Sequence, residues 1–521
     1  MADRAAPFPR RLSAANADFL FAPGRFTLLI SLLFAALFIF KSALFPGMGG
    51  DDGEQLIFAQ YFDWGYDVRN PPLYTWLVIA AQEAFGASAW AVNAVKFALL
   101  WLLYWFLYRA GLEVFDDRRL AVLAALSPLL IFHIAWDSLI GFSHSILAAV
   151  LYAAAVYAVL RLDKTDHPLA YAGLGAAMGF GILSKYAFVF FIVALLAACL
   201  CDHRLRKRVL NPRILITLLI AAAVTAPHLH WLYARHAEMA QEIAPALSAS
   251  GLGPHLLAAG KGVLSTIKAI VGFLLPLIVF LAIFFTPAWK RLPASNPAES
   301  DTQRFHRFFI ILFAVLIGLM VAFIAIGGIS RVRTHYMFAL ILVPLFFFLR
   351  VRLSDFGEAR LRRYAAATSL AALIVFFGLP VKYAAEPFTC GKCEHHLPYA
   401  AFADQIEKAG FRTGTILAYW HPYPIAGNLR AAFPKARVIS AKHPDIVPPP
   451  GATPGQCLLI WSGPPASPGA GATIALANKH FGTDFDPSTP GTALSARLST
   501  GTHRTYRLSY ILAAEGRGQC R

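Results

Sequence analysis

Charge is scarce in this sequence. Only 14% of its 521 residues are Asp, Glu, Lys or Arg, where a soluble domain carries about 25%. Acid is scarcer than base, 29 residues against 46, giving a net charge of +17. Cysteine and methionine are also sparse, at six each, which excludes a disulfide-dense scaffold. No internal repeat and no coiled-coil heptad pattern stands out. What fills the chain instead is apolar: 58% hydrophobic residues and a mean hydropathy of +0.57. Apolar runs of about 20 residues, each the length of a bilayer crossing, recur from position 26 to position 380. Soluble cores are built from shorter runs. The reading is therefore an α-helical polytopic membrane protein.

The surplus of base does not imply nucleic acid. Lys and Arg gather in short loops between apolar runs, where orientation signals sit. Hydropathy and length give about eleven spans, at 26–46, 88–109, 119–135, 139–160, 168–183, 186–201, 214–232, 263–286, 307–327, 335–350 and 364–380. The segment 71–86 opens with Pro71-Pro72, is short for a span, and reads as an interfacial helix. With residues 1–25 as a cytoplasmic N-terminal segment and the first run an uncleaved span, the loops HRLRKRVLNPR and RVRLSDFGEARLRR fall on the cytoplasmic side. The odd span count then leaves residues 381–521 outside. That tract is rich in Gly, Pro and Thr. AAFADQIEKAGF reads as an amphipathic helix and TGTILAYW, ARVISA and QCLLIWSG as strands, so a small C-terminal α/β extracytoplasmic domain is expected. Cys390, Cys393, Cys457 and Cys520 lie there, and disulfides suit an oxidising compartment. Cys390-Gly-Lys-Cys393-Glu-His-His396 is also half of a zinc site, without a second half of matching spacing. His421-Pro-Tyr423 is a loop feature with no assignable chemistry.

The candidate chemistry begins in the outer loop, 47–87, with GGDDGEQLIFAQYFDWGY. Asp51 and Asp52 stand at the mouth of the first span, where charge near hydrocarbon is expensive and usually functional. Trp64 and Tyr66, with Tyr61, Phe62, Tyr74 and Trp76, supply aromatic surface suited to a membrane interface or to sugar faces. Asp137 follows Trp136 in the next outer loop; its bland alternative is a helix N-cap. His133 and His144 read as packed within spans rather than catalytic. Cations share this side. Lys185 interrupts a long apolar stretch at the turn between two spans, Arg331, Arg333 and His335 occupy a later outer turn, and Arg69 and Lys382 face the same way. Such groups bind phosphate. Outer carboxylates, aromatics and cations together fit a lipid-linked sugar phosphate, with a carboxylate as general base and cations on the leaving phosphate. No cofactor is required on this reading, and a divalent metal is possible but not indicated.

These residues resemble the GT-C glycosyltransferases of family 39 type, a group that includes protein O-mannosyltransferases, the lipid A aminoarabinose transferase and lipopolysaccharide-core galacturonosyltransferases. The matching positions are Asp51-Asp52, then Asp63-Trp64-Gly65-Tyr66, then Asn70-Pro71-Pro72-Leu73, then Asp137 in WDSLIGF and Lys185 in GFGILSKYAFVF. Asp52 stands where the family has Glu, Asn70 where it has His, and one extra residue separates Tyr66 from the prolines. The resemblance covers 50–200 well and the later spans loosely. It implies a GT-C-like transmembrane domain at 26–380, a periplasmic domain at 381–521, and an inverting transfer from a polyprenyl-phosphate sugar. The first acid, Asp51, would be the base. Asp52 and Asp137 would place acceptor or sugar, and Lys185, Arg331, Arg333 and His335 would meet phosphate. The acceptor would be lipid A, lipopolysaccharide core, another glycan or protein, and the enzyme a monomer in the bacterial inner membrane. The rival readings are a transporter or flippase of lipid-linked sugars and a transferase of another lipid headgroup.

Overall fold

A computed structural model describes residues 19–45, 47–247, 252–289, 301–351, 356–389, 393–419, 422–450, 455–498 and 503–521. The chain divides into two compact units. One comprises residues up to Ala35, Asp67–Leu73 and Ala98–Phe376; the other comprises Ala36–Tyr66, Tyr74–Phe97 and Phe377–Arg521.

Among the described residues, seven helices are long and apolar enough to cross a membrane, and nine if two bent pairs each count as one. The seven are Arg25–Leu44, Ala89–Val114, Ser143–Lys164, Ile214–Ala234, Gly253–Thr286, Asp301–Gly327 and Glu358–Thr389. The expected count of about eleven exceeds this. The difference lies in Pro168–Ser184 and Thr334–Phe348, which are apolar but shorter than the length criterion. The second opens as a 3-10 helix, Thr334–Leu342, before turning α-helical.

The first unit is mainly helical. Pro168–Ser184 packs between Ser143–Lys164 and Ile214–Ala234. Gly175 and Gly179 make the second contact possible: a Cβ on Gly175 would lie 2.6 Å from the Thr217 carbonyl oxygen, and one on Gly179 would lie 3.0 Å from Val224. This is small-residue packing of the kind lipid favours, because lipid gives helices no hydrophobic drive to associate. Thr217 Oγ1 donates to the Tyr171 carbonyl across the same contact (2.8 Å). Elsewhere Arg304 is buried against Asp163 and Asp202, with 2.9 and 3.1 Å contacts from Nη1. Asp202 also caps the helix His203–Val209, accepting from the amides of Arg204 and Leu205.

The second unit contains a five-stranded sheet. Its strands are β1 (Gly414–Tyr419), β2 (Arg437–Ser440), β3 (Gln456–Ser462), β4 (Thr492–Arg497) and β5 (Thr505–Ala513), in the order β2-β1-β3-β5-β4. β1 runs parallel to both β2 and β3, while β5 is antiparallel to β3 and β4. The first three strands lie where the sequence places them. β4 and β5 alternate polar and apolar more weakly and escape that reading. Alternation in the central strands loads both faces. Ile416, Val438, Leu458 and Ile460 enter one core; Leu417, Ile439, Leu459 and Trp461 enter the other, under the helix Pro468–Phe481. That helix ends at Gly482, whose positive φ of 59° supplies a left-handed cap. Cys457 on β3 is bonded to Cys520, tying the C-terminal residues to the sheet. Cys393 is also in a disulfide, whereas Cys390 and His421 lie outside the described residues. Among those described, no three His, Cys, Asp or Glu side chains are grouped to hold a metal.

Candidate active site

In the second unit, the acidic motif forms a short helix, Gly50–Phe58, with Asp51 and Asp52 in its first turn. Acidic residues suit a helix N-terminus, where unpaired amides point outward. Consecutive helix positions diverge by about 100°, so the two acids have different fates. Asp51 is exposed and Asp52 is buried. Asp52 Oδ2 lies 3.1 Å from Lys41 Nζ, and its Oδ1 lies 2.5 Å from Lys96 Nζ. Burial alone would push this carboxyl up; the two ammonium groups outweigh it and hold it at about 2. A carboxylate so held is a weak base, and both its oxygens are occupied. Asp52 is thus an anchor for the helix that presents Asp51. Neither lysine is singled out by motif. Their signal is a charge inside an apolar run.

The same helix is built into the sheet-bearing body. Ile57 and Phe58 belong to the core on one face of the sheet. The helix packs on Pro422–Ala432, and the two meet at glycines: a Cβ on Gly427 would lie 2.4 Å from the Gly53 carbonyl oxygen. Asn428, buried, accepts from the Met48 amide (3.0 Å) and donates to the Met48 carbonyl (2.9 Å). Gln60 does the same to Val438 on β2, donating at 2.7 Å and accepting at 2.8 Å. Glu54 meets His443 at 3.2 Å. Hydrogen bonds of these kinds fix position before and after the acids.

The aromatic candidates divide. Tyr66 is buried, donates to the Tyr61 carbonyl (2.8 Å), accepts from the Asp63 amide (3.0 Å) and stacks on Phe58. It holds the loop. Trp64 is 45% exposed and packs edge-on against Phe62 and Trp76.

The remaining candidates fall in the first unit. Arg69 is committed to Asp67 through two contacts of 3.1 Å from Nε and one of 3.0 Å from Nη2. Asn70 closes the same turn with its amide on the Asp67 carbonyl (3.2 Å). Lys185 lies at the break between Pro168–Ser184 and Phe188–Cys201. Its Nζ donates to Ser145 Oγ (2.9 Å) and sits 4.7 Å from the centre of the Tyr336 ring. Among the described residues, no carboxylate comes within ion-pair distance of it. Burial without a counter-charge brings its ammonium down to about 8. His335 packs against Tyr336, with ring centres 4.6 Å apart. Lys185, Arg333 and His133 are the basic side chains near His335. Arg331 and Arg333 are exposed, and neither has a carboxylate partner among the described residues. Asp137 does not cap the following helix. Its Oδ2 accepts from His133 Nδ1 at 2.6 Å, inside a π-helical turn, His133–Asp137. The histidine taken from sequence as packing is therefore the partner of a candidate acid.

Comparison with known proteins places the chain among membrane glycosyltransferases. The family model described as dolichyl-phosphate-mannose-protein mannosyltransferase matches residues 69–231. The lipopolysaccharide core galacturonosyltransferase RgtB of Rhizobium johnstonii is 28% identical over 76% of this chain and 79% of its own length. RgtA of the same organism is 26% identical over 86% and 88%. This chain is a membrane glycosyltransferase similar to the GT-C enzymes. Its fold resembles that of ArnT from Cupriavidus metallidurans. The TM-score is 0.56, at 14% identity, over 94% of this chain and 98% of ArnT bound to undecaprenyl phosphate. For apo ArnT it is 0.58, over 95% and 98%. Within this multi-pass enzyme, the match to the mannosyltransferase family model takes in Arg69, Asn70, Asp137 and Lys185 and begins after Asp51 and Asp52.

Proposed function

We propose that the enzyme moves a sugar from a polyprenyl-phosphate carrier to a glycan of the cell envelope, with inversion, on the periplasmic face of a bacterial inner membrane. The observation that carries this reading is Lys185: a half-buried ammonium that no carboxylate neutralises among the described residues, with Ser145 and the Tyr336 ring against it and His335 and Arg333 nearby. A buried cation is costly unless paired. A resident carboxylate would relieve that cost permanently; a visiting phosphate relieves it only when bound. The RgtA and RgtB names favour the lipopolysaccharide core as acceptor, and the ArnT complex favours a long polyprenyl phosphate as carrier.

In this reading, about eleven crossings leave the N-terminus inside, and residues 381–521 form the periplasmic body. Asp51 takes the proton of the acceptor hydroxyl. The acceptor oxygen bonds to the anomeric carbon, the bond from that carbon to the phosphate oxygen breaks, and the electron pair stays on the phosphate. Lys185 and Arg333, with Arg331 and His335, stabilise that charge, while exposed Trp64 offers a face to sugar. The roles of Asp51 and of the Lys185 group are separately testable.

The direct test uses purified full-length chain with a polyprenyl-phosphate donor labelled in both sugar and phosphate. Labelled sugar on lipopolysaccharide core, with labelled phosphate left on the carrier, is expected. Phosphate reaching the acceptor identifies a headgroup transferase, and donor crossing liposomes without product identifies a flippase; either result overturns the reading.

A further inference from the structure

His133 and Asp137 form a hydrogen-bonded pair in the first unit. They sit four residues apart in a π-helical turn, a local widening that recurs at functional sites. The wider turn brings Asp137 Oδ2 to 2.6 Å from His133 Nδ1. A carboxylate accepts, so Nδ1 carries the proton it donates. That fixes the ring orientation and leaves Nε2 as the nitrogen available to a ligand. Nε2 has no hydrogen-bond partner among the described residues.

The ring is held from both sides. It stacks on Phe273, with centres 6.0 Å apart and planes 9° apart, and Phe142 lies against it at 6.3 Å. Phe142 also lies 5.4 Å from His335, so one phenyl ring packs against both imidazoles. Its backbone has a φ of 62°, left-handed and costly for a bulky residue. Such strain is retained where surroundings over-determine it. The neighbours of His335 and Lys185 in the first unit are therefore Arg333, Ser145, Tyr336 and, across Phe142, the Asp137–His133 pair.

This deepens the transferase reading above and rests on it. The donor phosphate is a diester with one negative charge. When the sugar leaves, the same phosphate becomes a monoester and gains a charge on the freed oxygen. Lysine and arginine attract both forms. We propose that His133, held by Asp137 and acting as an imidazolium, distinguishes them by position and not by charge: its Nε2–H donates to the one oxygen that is esterified to the sugar in the donor and becomes charged only as the sugar departs. His133 is then a catalytic residue and Asp137 a positioning residue. Charge stabilisation confined to the departing state raises turnover without tightening donor binding.

The test measures binding of farnesyl phosphate and of its methyl phosphodiester to full-length protein in nanodiscs, for wild type, His133→Gln, Asp137→Asn and Lys185→Gln. In His133→Gln and Asp137→Asn the monoester should weaken by about ten- to a hundredfold, the worth of a hydrogen bond to a charged group, while the diester should hold within about twofold. Transfer by both should lose kcat more than it raises KM. Asp137→Asn keeps the imidazole, so it decides the matter if His133→Gln unfolds. Equal weakening of the two ligands, or no weakening of either, overturns the proposal. If Lys185→Gln weakens both ligands while the His133 and Asp137 variants weaken neither, the phosphate site survives and only the discriminating role falls. If Lys185→Gln weakens neither, the phosphate reading itself has failed.

Discussion

Lys41 and Lys96 in one unit are buried and Lys185 in the other is half-buried, and their surroundings differ. The first two close on the oxygens of Asp52. The third has a hydroxyl and an aromatic ring, and no carboxylate among the described residues. A neutralised buried charge serves the fold, because its partner is always present. An unneutralised one is a standing cost that a ligand can remove. Substitutions at the two places should therefore separate stability from activity.

The largest effect is expected at Asp51, which is exposed beside the locked Asp52. Asp51→Asn should cut transfer by about 10²–10⁴-fold, the range of a lost general base. Expression and thermal unfolding should stay at wild-type values. Activity within a few fold of wild type would remove Asp51 from the mechanism. Asp52→Asn should act in the opposite way. It strands two buried ammonium groups and should destabilise the fold by about 3–5 kcal/mol, seen as low yield and a lower Tm. Charge pairing also gives this site an acid limb. A depressed carboxyl pKa contributes stability that is complete above its unfolded value of 3.8 and is lost as pH falls toward about 2. An Asp52→Asn protein as stable as wild type at pH 7 would mean that the lysine bracket is not an anchor.

Lys185→Gln should break the comparison from the other side. Affinity for a polyprenyl phosphate should fall by about ten- to a hundredfold, while Tm holds or rises, because an unpaired half-buried charge has been taken away. The pH dependence has a definite sign. A lysine whose folded pKa is lowered from 10.5 to about 8 disfavours the folded state while charged, and that penalty is relieved as pH rises between those values. Apo wild type should gain stability across this window relative to Lys185→Gln. Anion affinity should decline over the same window in wild type and stay flat in the variant. Calorimetry of the two proteins from pH 7 to 10 reads both trends, and a variant that is less stable than wild type would assign Lys185 to the fold.

How much of this was legible beforehand follows from the range of each interaction. Spans, the Lys185 turn and the first three strands are written in local hydropathy and period, and those were readable. The acid pair was found, but not the division between its members. That division depends on Lys41 and Lys96, which are brought in from two separate helices, and on a helical rotation between neighbours. Asp137 is legible as a candidate, whereas its contact with His133 is not, because it depends on a π turn that sequence periodicity does not display. Asn428 and Gln60 carried no signal, since a carboxamide that pairs with a distant backbone looks like any other surface amide.

Asn428 offers the smallest and most specific test. Its carboxamide satisfies both backbone groups of Met48, just ahead of the acidic helix, from a side chain 380 positions away. Asn428→Ala leaves a buried amide and a buried carbonyl without those partners and should destabilise the protein by about 1–3 kcal/mol. Asn428→Asp can still accept from the amide but cannot donate to the carbonyl, and it adds charge at a buried position. If the carboxamide sets the pose of Asp51, Asn428→Ala should lower kcat at saturating donor and acceptor more than the stability loss accounts for, with donor affinity unchanged. A loss of stability without any change in kcat for the folded fraction would make the clasp a matter of folding alone, and would leave the lysine bracket around Asp52 as the main determinant of where Asp51 points.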